Sequence, residues 1–266
     1  MRRASEAGIT KLYHYESFNE KYLRDTLSRN RVHFSNPGNF NDPWDCCPMH
    51  VLTGIEDPSC LEEWSRFFRL LAAQAPIIPL DSDSVFGDPE FLERAVAQMN
   101  KTARELTIQN WRIYCLSPHS DLLMMWAHYA DRHRGICLEF NAHTPGMGEA
   151  FEVSYQDRRP VVDCSRLSDF ISRTEASLLT KASDWSYEKE YRFLARNGET
   201  DLETALSLKK TTGDYLELEA DALTGIIVGC RADMRAVEAI VRELKPSLNI
   251  YQAVQSDFEY RVTTIK

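Results

Sequence analysis

Two glutamates and an arginine alternate along one short stretch of the chain. Residues 185–194 read Trp-Ser-Tyr-Glu-Lys-Glu-Tyr-Arg-Phe-Leu, so Glu188, Glu190 and Arg192 occupy every second position. This alternation predicts a strand over the stretch, with the three charged side chains on one face. Charges on a half-buried face are costly unless they pair or take part in chemistry. The stretch is therefore either a cross-strand ion-pair ladder or part of a functional site.

Other stretches carry polar and aromatic residues of types that bind ligands. These residues are His14, Tyr15, Asn41, Asp42, Trp126, His128 and Tyr129. His14 and Tyr15 end a predicted strand, and Asn41 and Asp42 lie in a loop rich in Asn, Asp, Gly and Pro. Loops of that composition often carry function. Trp126, His128 and Tyr129 lie on a predicted short helix. Each of these seven residues could instead be an ordinary core or turn residue.

The composition describes an ordinary globular protein. The chain has 266 residues, of which 43% are hydrophobic and 27% are charged, enough to bury a sizeable core. The net charge of −9 argues against broad binding to nucleic acid or to anionic membranes. No apolar run approaches the roughly 20 residues of a membrane span. No signal peptide is visible at the N-terminus, so we expect no membrane partner.

The cysteines indicate a compartment rather than a site. Seven cysteines are scattered along the chain, and none forms a C-x-x-C pair. His128 and His133 lack the i, i+4 spacing of a helical metal pair. We therefore expect a reducing, cytoplasmic location, no disulfide framework and no metal site.

Hydrophobic periodicity predicts one α+β domain over residues 1–266, with a helical insertion at about 56–109. The predicted strands are 11–15, 31–35, 110–117, 136–140, 150–155, 185–194, 214–219, 225–229, 249–254 and 258–265. Helices are predicted at about 18–29, 59–75, 88–106, 121–130, 165–180 and 233–245. A turn at 143–148 predicts that strands 136–140 and 150–155 form a hairpin.

Three blocks of sequence together resemble a widespread bacterial family of unknown function. They are Leu12-Tyr13-His14-Tyr15 with Phe40-Asn41-Asp42-Pro43, Met125-Trp126-Ala127-His128-Tyr129-Ala130 with Gly135, and Trp185-x-Tyr187-Glu188-x-Glu190-Tyr191-Arg192. The resemblance covers most of the chain, from about Leu12 to Gly229. That family is more distantly similar to proteins of the ADP-ribosyltransferase fold, some of which act as toxins or in phage defence. The resemblance implies an ADP-ribosyltransferase-like split, mostly antiparallel sheet.

The resemblance also implies an activity. NAD would be the substrate of an ADP-ribosyltransferase, or of an NAD glycohydrolase, which cleaves the nicotinamide–ribose bond through an oxocarbenium-like centre. Glu190 would stabilise the developing positive charge and accept a hydrogen bond from the ribose 2′-hydroxyl. Glu188 would orient or deprotonate the acceptor.

The resemblance assigns the remaining residues to NAD binding. The expected set is His14, Tyr15, Asn41, Asp42, Trp126, His128, Tyr129 and Arg192. His14 would hold the distal ribose, and Tyr129 or Trp126 would stack on nicotinamide. Asn41 and Asp42 would contact the cofactor or fix their loop, while Arg192 would neutralise the pyrophosphate or pair with Glu188. The implied partners are an unknown macromolecular or small-molecule acceptor and an antitoxin or immunity protein.

Two functions of other classes stay open. A metal-dependent nuclease would gather a hard cation with the residues Asp184, Glu188, Glu190 and His128. A non-catalytic binding module would use a pocket lined by His14, Trp126 and Tyr129 for recognition alone. Metal binding without NAD binding would favour the nuclease, and NAD binding without turnover would favour the module.

Overall fold

The architecture comes from a computed structural model, which describes residues 1–51, 89–163, 176–198, 209–259 and 262–265, together with positions 57, 59 and 62. The helices are α1 (Glu20–Arg29), α2 (Pro89–Asn110), α3 (Leu123–His128) and α4 (Met234–Leu244). The strands are β1 (Lys11–Glu16), β2 (Arg31–His33), β3 (Met49–Val51), β4 (Trp111–Leu116), β5 (Ile136–Asn141), β6 (Phe151–Glu152), β7 (Ser154–Gln156), β8 (Val161–Asp163), β9 (Thr180–Ala182), β10 (Tyr191–Asn197), β11 (Lys210–Thr211), β12 (Tyr215–Glu217), β13 (Leu223–Val228), β14 (Asn249–Gln255) and β15 (Val262–Ile265). The described residues form a mixed α/β fold that is mostly sheet, in agreement with the predicted α+β class.

The largest sheet has five strands in the order β1-β5-β13-β14-β15. All its pairings are antiparallel except β13 with β14. Alternate residues of β5, such as Leu138 and Phe140, are buried in the main core together with Leu23 of α1 and Ile240 of α4. The two helices begin at side-chain caps, because Asn19 and Asp233 accept hydrogen bonds from the first backbone N–H groups. Their apolar faces therefore cover this sheet.

A second sheet places the candidate site. Its order is β11-β10-β4, with β6 also paired to β10. Tyr191 and Phe193 of β10 are buried in the main core. The backbones of Tyr13 in β1 and Ser117, just after β4, exchange two hydrogen bonds of 2.8 Å. The ends of β1 and β4 and the start of β10 therefore meet.

The predicted strand over 185–194 is wrong in its first half. Ser183–Glu188 forms a 3-10 helix, Lys189 has a φ of +49°, and β10 begins only at Tyr191. Side chains satisfy the backbone here: the Ser117 hydroxyl donates to the Glu188 carbonyl at 2.8 Å. The Tyr155 hydroxyl accepts from the Glu190 N–H at 2.7 Å. With its polar groups paired in this way, the segment needs no neighbouring strand.

The predicted hairpin of 136–140 with 150–155 is also wrong. Strand β5 pairs with β1 on one edge and β13 on the other, whereas β6 pairs with β10. Both edges of β5 are thus already occupied, and the chain crosses to the second sheet.

Within the predicted helical insertion, the helix expected at 88–106 is found as α2. The helix predicted at 59–75 lies outside the described residues except for positions 59 and 62, and most of that at 165–180 does too.

No helix in the described ranges combines the length and the apolar character needed to cross a bilayer.

Candidate active site

A cleft of about 440 Å³ opens where β1, β4, α3 and the turn before β10 come together. Seven residues predicted from the sequence line it: His14, Tyr15, Asn41, His128, Tyr129, Glu188 and Glu190. Phe40, Asp45 and Lys181 also contribute to its walls. The cleft therefore gathers residues that lie far apart in the chain.

Five buried charged side chains, which we call the charge cluster, lie in or directly beside the wall of the cleft: Asp45, Lys181, Glu188, Glu190 and Arg192. None of them is more than 8% exposed. Arg192 donates from Nε to Glu190 Oε1 at 2.8 Å and from Nη2 to Glu190 Oε2 at 3.1 Å. Its Nη2 also donates to Asp45 Oδ2 at 2.7 Å. Arg192 is thus paired with Glu190 and Asp45, not with Glu188.

Lys181 links the carboxylates of the charge cluster. Its Nζ donates to Glu188 Oε2 at 2.6 Å and to Glu190 Oε2 at 3.2 Å. Asp45 Oδ2 lies 3.7 Å away. Three carboxylates face two cations, so the fully ionised cluster carries one excess negative charge. An excess charge in a poorly hydrated wall favours a cation, or a group that becomes cationic, in the cleft.

The two glutamates of the cleft differ in their readiness to bind a proton. Burial, followed by the negative charge of Glu190, raises the pKa of Glu188. Burial also acts to raise the pKa of Glu190, but Arg192 and Lys181 outweigh it and lower that pKa to about 2. Tyr129 donates to Glu188 Oε1 at 2.6 Å. One carboxylate is therefore a permanent anion and the other can exchange a proton.

His14 is held as a neutral ring. Its Nδ1 lies 2.7 Å from the Cys115 carbonyl oxygen, which can only accept, so Nδ1 carries the proton. Burial lowers the pKa of His14 to about 4. The ring stacks on Tyr114 with centroids 4.2 Å apart. Its Nε2 is left as an acceptor, 3.9 Å from Glu16 Oε2, and burial raises the pKa of Glu16 to about 7.

Three residues predicted to bind the cofactor do not line the cleft. Trp126 is 0% exposed and donates its indole N–H to the Ser120 carbonyl, so it cannot stack on a ligand there. Arg192 is also 0% exposed and lies behind Glu190. Asp42 accepts from the Trp185 indole N–H at 2.9 Å and from the Trp44 backbone N–H. Asp42 thus fixes its loop, which is one of its two predicted roles.

Sequence reasoning does not single out Lys181 and Asp45, the other two members of the charge cluster. Asp45 belongs to the same polar loop as Asp42, which is a signal that could have identified it. Lys181 is a single lysine in the middle of a three-residue strand, and no spacing marks it. Only the fold shows that this lysine meets the two glutamates.

The geometry weakens the nuclease alternative. In the described part of the chain, no group of three or more His, Cys, Asp or Glu side chains could hold a metal ion. The carboxylates of Glu188, Glu190 and Asp45 are already paired with Lys181 and Arg192, so a metal ion would have to displace those partners to be coordinated. Asp184, another of the four residues expected to bind the metal, is exposed.

Comparison with known proteins identifies one similar family. No curated protein and no solved structure matches the chain significantly. Residues 125–193 match the model of a family described as protein of unknown function, DUF2971. The matched segment includes the second and third sequence blocks and contains Tyr129, Lys181, Glu188, Glu190 and Arg192. Over this segment the chain is therefore similar to a family of unknown function, in agreement with the resemblance found in the sequence.

Proposed function

We propose that the protein cleaves the nicotinamide–ribose bond of NAD in the cleft, as an ADP-ribosyltransferase or an NAD glycohydrolase. The observation that carries the proposal is that the two cleft glutamates have unlike partners. Arg192 and Lys181 both donate to Glu190 and lower its pKa, whereas Glu188 accepts from Lys181 and Tyr129 and its pKa is raised by burial. Glycosidic bond cleavage commonly divides its work between two carboxyl groups in unlike environments. The ADP-ribosyltransferase-like fold and a toxin or defence role rest on the distant resemblance alone.

The charge balance of the wall supports this reaction. When the C1′–N bond of NAD breaks, its electron pair leaves with nicotinamide and positive charge develops on the ribose. The Glu190 carboxylate lines the cleft and stays ionised beside Arg192 and Lys181. An anion held in advance near that charge stabilises the transition state more than the ground state.

Glu188 is suited to the proton transfer that follows. As the oxygen of a water molecule or an acceptor hydroxyl bonds to C1′, its proton passes to the Glu188 carboxylate. A carboxylate whose pKa is raised by burial is a stronger base than an exposed one. The Tyr129 hydroxyl donates to Glu188 Oε1, and this hydrogen bond orients the carboxylate.

The remaining lining residues supply contacts suited to a dinucleotide. Phe40 and Tyr129 offer half-buried aromatic surfaces for the nicotinamide ring. The Nε2 atom of neutral His14 can accept a hydrogen bond from a ribose hydroxyl. Lys181 is the one basic side chain that lines the described cleft besides the histidines, so Ser35 and Asn41 would serve the pyrophosphate as neutral donors.

One observation favours a non-catalytic ligand-binding module instead. Both oxygens of Glu190 already accept hydrogen bonds, from Arg192 and Lys181, and both oxygens of Glu188 accept from Lys181 and Tyr129. Carboxylates so fully engaged can have a purely structural role. Such a module would bind NAD or a related ligand without turnover.

The test is to incubate the purified protein with NAD, with and without cell extract, and to measure free nicotinamide by chromatography. We expect nicotinamide release. Label from adenine-labelled NAD on a macromolecule would indicate transfer, and free ADP-ribose would indicate hydrolysis. NAD binding by calorimetry with no release would support the binding module. The absence of both binding and release would contradict both functions.

A further inference from the structure

A second chamber of about 300 Å³ adjoins the cleft. The two cavities share His14, Glu16 and Ser35, which form the boundary between them. The second chamber extends away from the charge cluster, toward α1, β2 and β12. None of the residues that sequence analysis assigned to a site lines it except His14, so the chamber needs its own explanation.

The lining of the second chamber has the chemistry of a site for an uncharged ring. Tyr22 and Tyr215 contribute aromatic surfaces, Tyr114 also belongs to the lining, and the described lining contains no Lys or Arg. Its one carboxyl group is Glu16. A phosphate group would lack a basic partner there and would lie near a carboxyl group, whereas a flat ring would find faces on which to stack.

Two of the aromatic walls are held in place by contacts of their own. The guanidinium carbon of Arg31 lies 4.0 Å from the centroid of the Tyr215 ring. His33 meets Tyr215 edge-on at 5.2 Å. Tyr114 is stacked between His14 at 4.2 Å and Phe34 at 5.4 Å. A ring that enters the chamber therefore meets surfaces that need little reorganisation.

The hydroxyl of Tyr114 gives an independent indication of a ligand. The side chain is 2% exposed, and its hydroxyl has no hydrogen-bond partner among the described residues. Buried hydroxyl groups nearly always have a partner, because an unsatisfied one is costly. Tyr114 lines the second chamber, so a polar edge of a bound ligand is the natural partner.

We propose that the second chamber binds an uncharged nucleobase, with the polar edge of the base toward Tyr114 and its faces toward Tyr22 and Tyr215. This site does not require that the protein cleave NAD. If the protein does cleave NAD, the bound base could have two origins, because the chamber and the cleft share a boundary at His14 and Glu16. It is either the adenine half of the dinucleotide, which then spans both cavities, or a separate nucleoside that serves as the acceptor.

The test uses adenosine, which carries no phosphate, as the probe in calorimetric titrations of the full chain. We expect wild type to bind it and Tyr114→Phe to bind it about tenfold more weakly, the worth of one hydrogen bond. Tyr22→Ala, at a side chain that is 59% exposed, removes a stacking face without disturbing the core and should weaken binding about tenfold or more. Tyr187→Phe, which lies outside the second chamber, should bind as wild type does.

Competition then identifies the source of the base. Displacement of adenosine by NAD would assign the chamber to the adenine half of the dinucleotide, and simultaneous binding would assign it to a separate nucleoside. Either result supports the site. The absence of adenosine binding by wild type, or equal binding by Tyr114→Phe and Tyr22→Ala, would overturn it. Because no turnover is measured, this outcome is independent of NAD cleavage.

Discussion

Glu188 and Glu190 should affect stability with opposite signs. The pKa of Glu190 is below its ordinary value of 4.5, so its contribution is present above that pH and is lost as the pH falls toward 2. The pKa of Glu188 is raised, so ionisation of this group disfavours the folded state as the pH rises above 4.5. The same wall therefore holds one stabilising and one destabilising negative charge at neutral pH.

We therefore expect Glu188→Gln, which imitates the protonated side chain, to unfold at pH 8 with a free energy equal to or above that of wild type. Glu190→Gln should lose about 3 kcal/mol at the same pH, because it removes a buried anion that contacts both Arg192 and Lys181. Urea unfolding at pH 8 measures both values. A larger loss for Glu188→Gln than for Glu190→Gln would contradict the assignment of the two charges.

Tyr129 should set the pH at which Glu188 becomes ionised. Its hydroxyl donates to Glu188 Oε1 at 2.6 Å, which favours the charged carboxylate. Tyr129→Phe removes this hydrogen bond, so the pKa of Glu188 rises. The acid limb of the pH profile of kcat/KM for nicotinamide release should then move up by about one pH unit. Tyr187→Phe is the matched control, and equal shifts in the two variants would remove Tyr129 from this role.

At the scale of elements, Gly135 allows the turn after α3 to pack against the end of β1. A Cβ atom at Gly135 would overlap the backbone oxygen of Glu16 and would lie 2.9 Å from the backbone of Ala130. Glu16 belongs to the boundary between the cleft and the second chamber. The close approach of these two backbones therefore helps to place His14 and Glu16.

We expect Gly135→Ala to destabilise the protein by about 3 kcal/mol or more, because backbone atoms cannot yield as a flexible side chain can. Gly213→Ala is the control: its φ is +56° but no atom lies within 4 Å of the added Cβ. It should cost only the conformational strain, about 1 kcal/mol. Thermal unfolding compares the two variants, and equal losses would show that the close approach is not limiting.

Elements whose signals are local could be predicted from the sequence. The strands β1, β4, β13 and β14 and the helix α4 appear close to their predicted positions. The stretch 185–190 could not, because its backbone conformation depends on hydrogen bonds of Glu188 and Glu190 to Ser117 and Tyr155, which are distant in sequence. Likewise, the pairing of β5 with β1 and β13 depends on which strands reach its edges, and no local pattern encodes that choice.

At the scale of the whole molecule, the residues of the cleft were partly predictable because their types are unusual in their local setting. Charged residues within a strand-like stretch and a polar loop marked Glu188, Glu190 and Asn41. The prediction that Trp126 stacks on a ligand was wrong, because an aromatic residue gives the same local pattern in a core and in a binding site. The role of Lys181 could not be predicted, because it depends on the position of β9, which places this lysine next to the two glutamates.

The central claim is that the Glu190 anion serves the cleavage of NAD. The most direct measurement compares nicotinamide release from NAD by purified wild type, Glu190→Gln and Glu219→Gln, with circular dichroism to show that each variant is folded. Glu219 is exposed and lies outside the cleft, so Glu219→Gln matches the chemical change without touching the site. The account predicts a loss of about 10²–10³-fold for Glu190→Gln and no change for Glu219→Gln. A folded Glu190→Gln variant that releases nicotinamide at the wild-type rate, or a wild type that releases none, would contradict it.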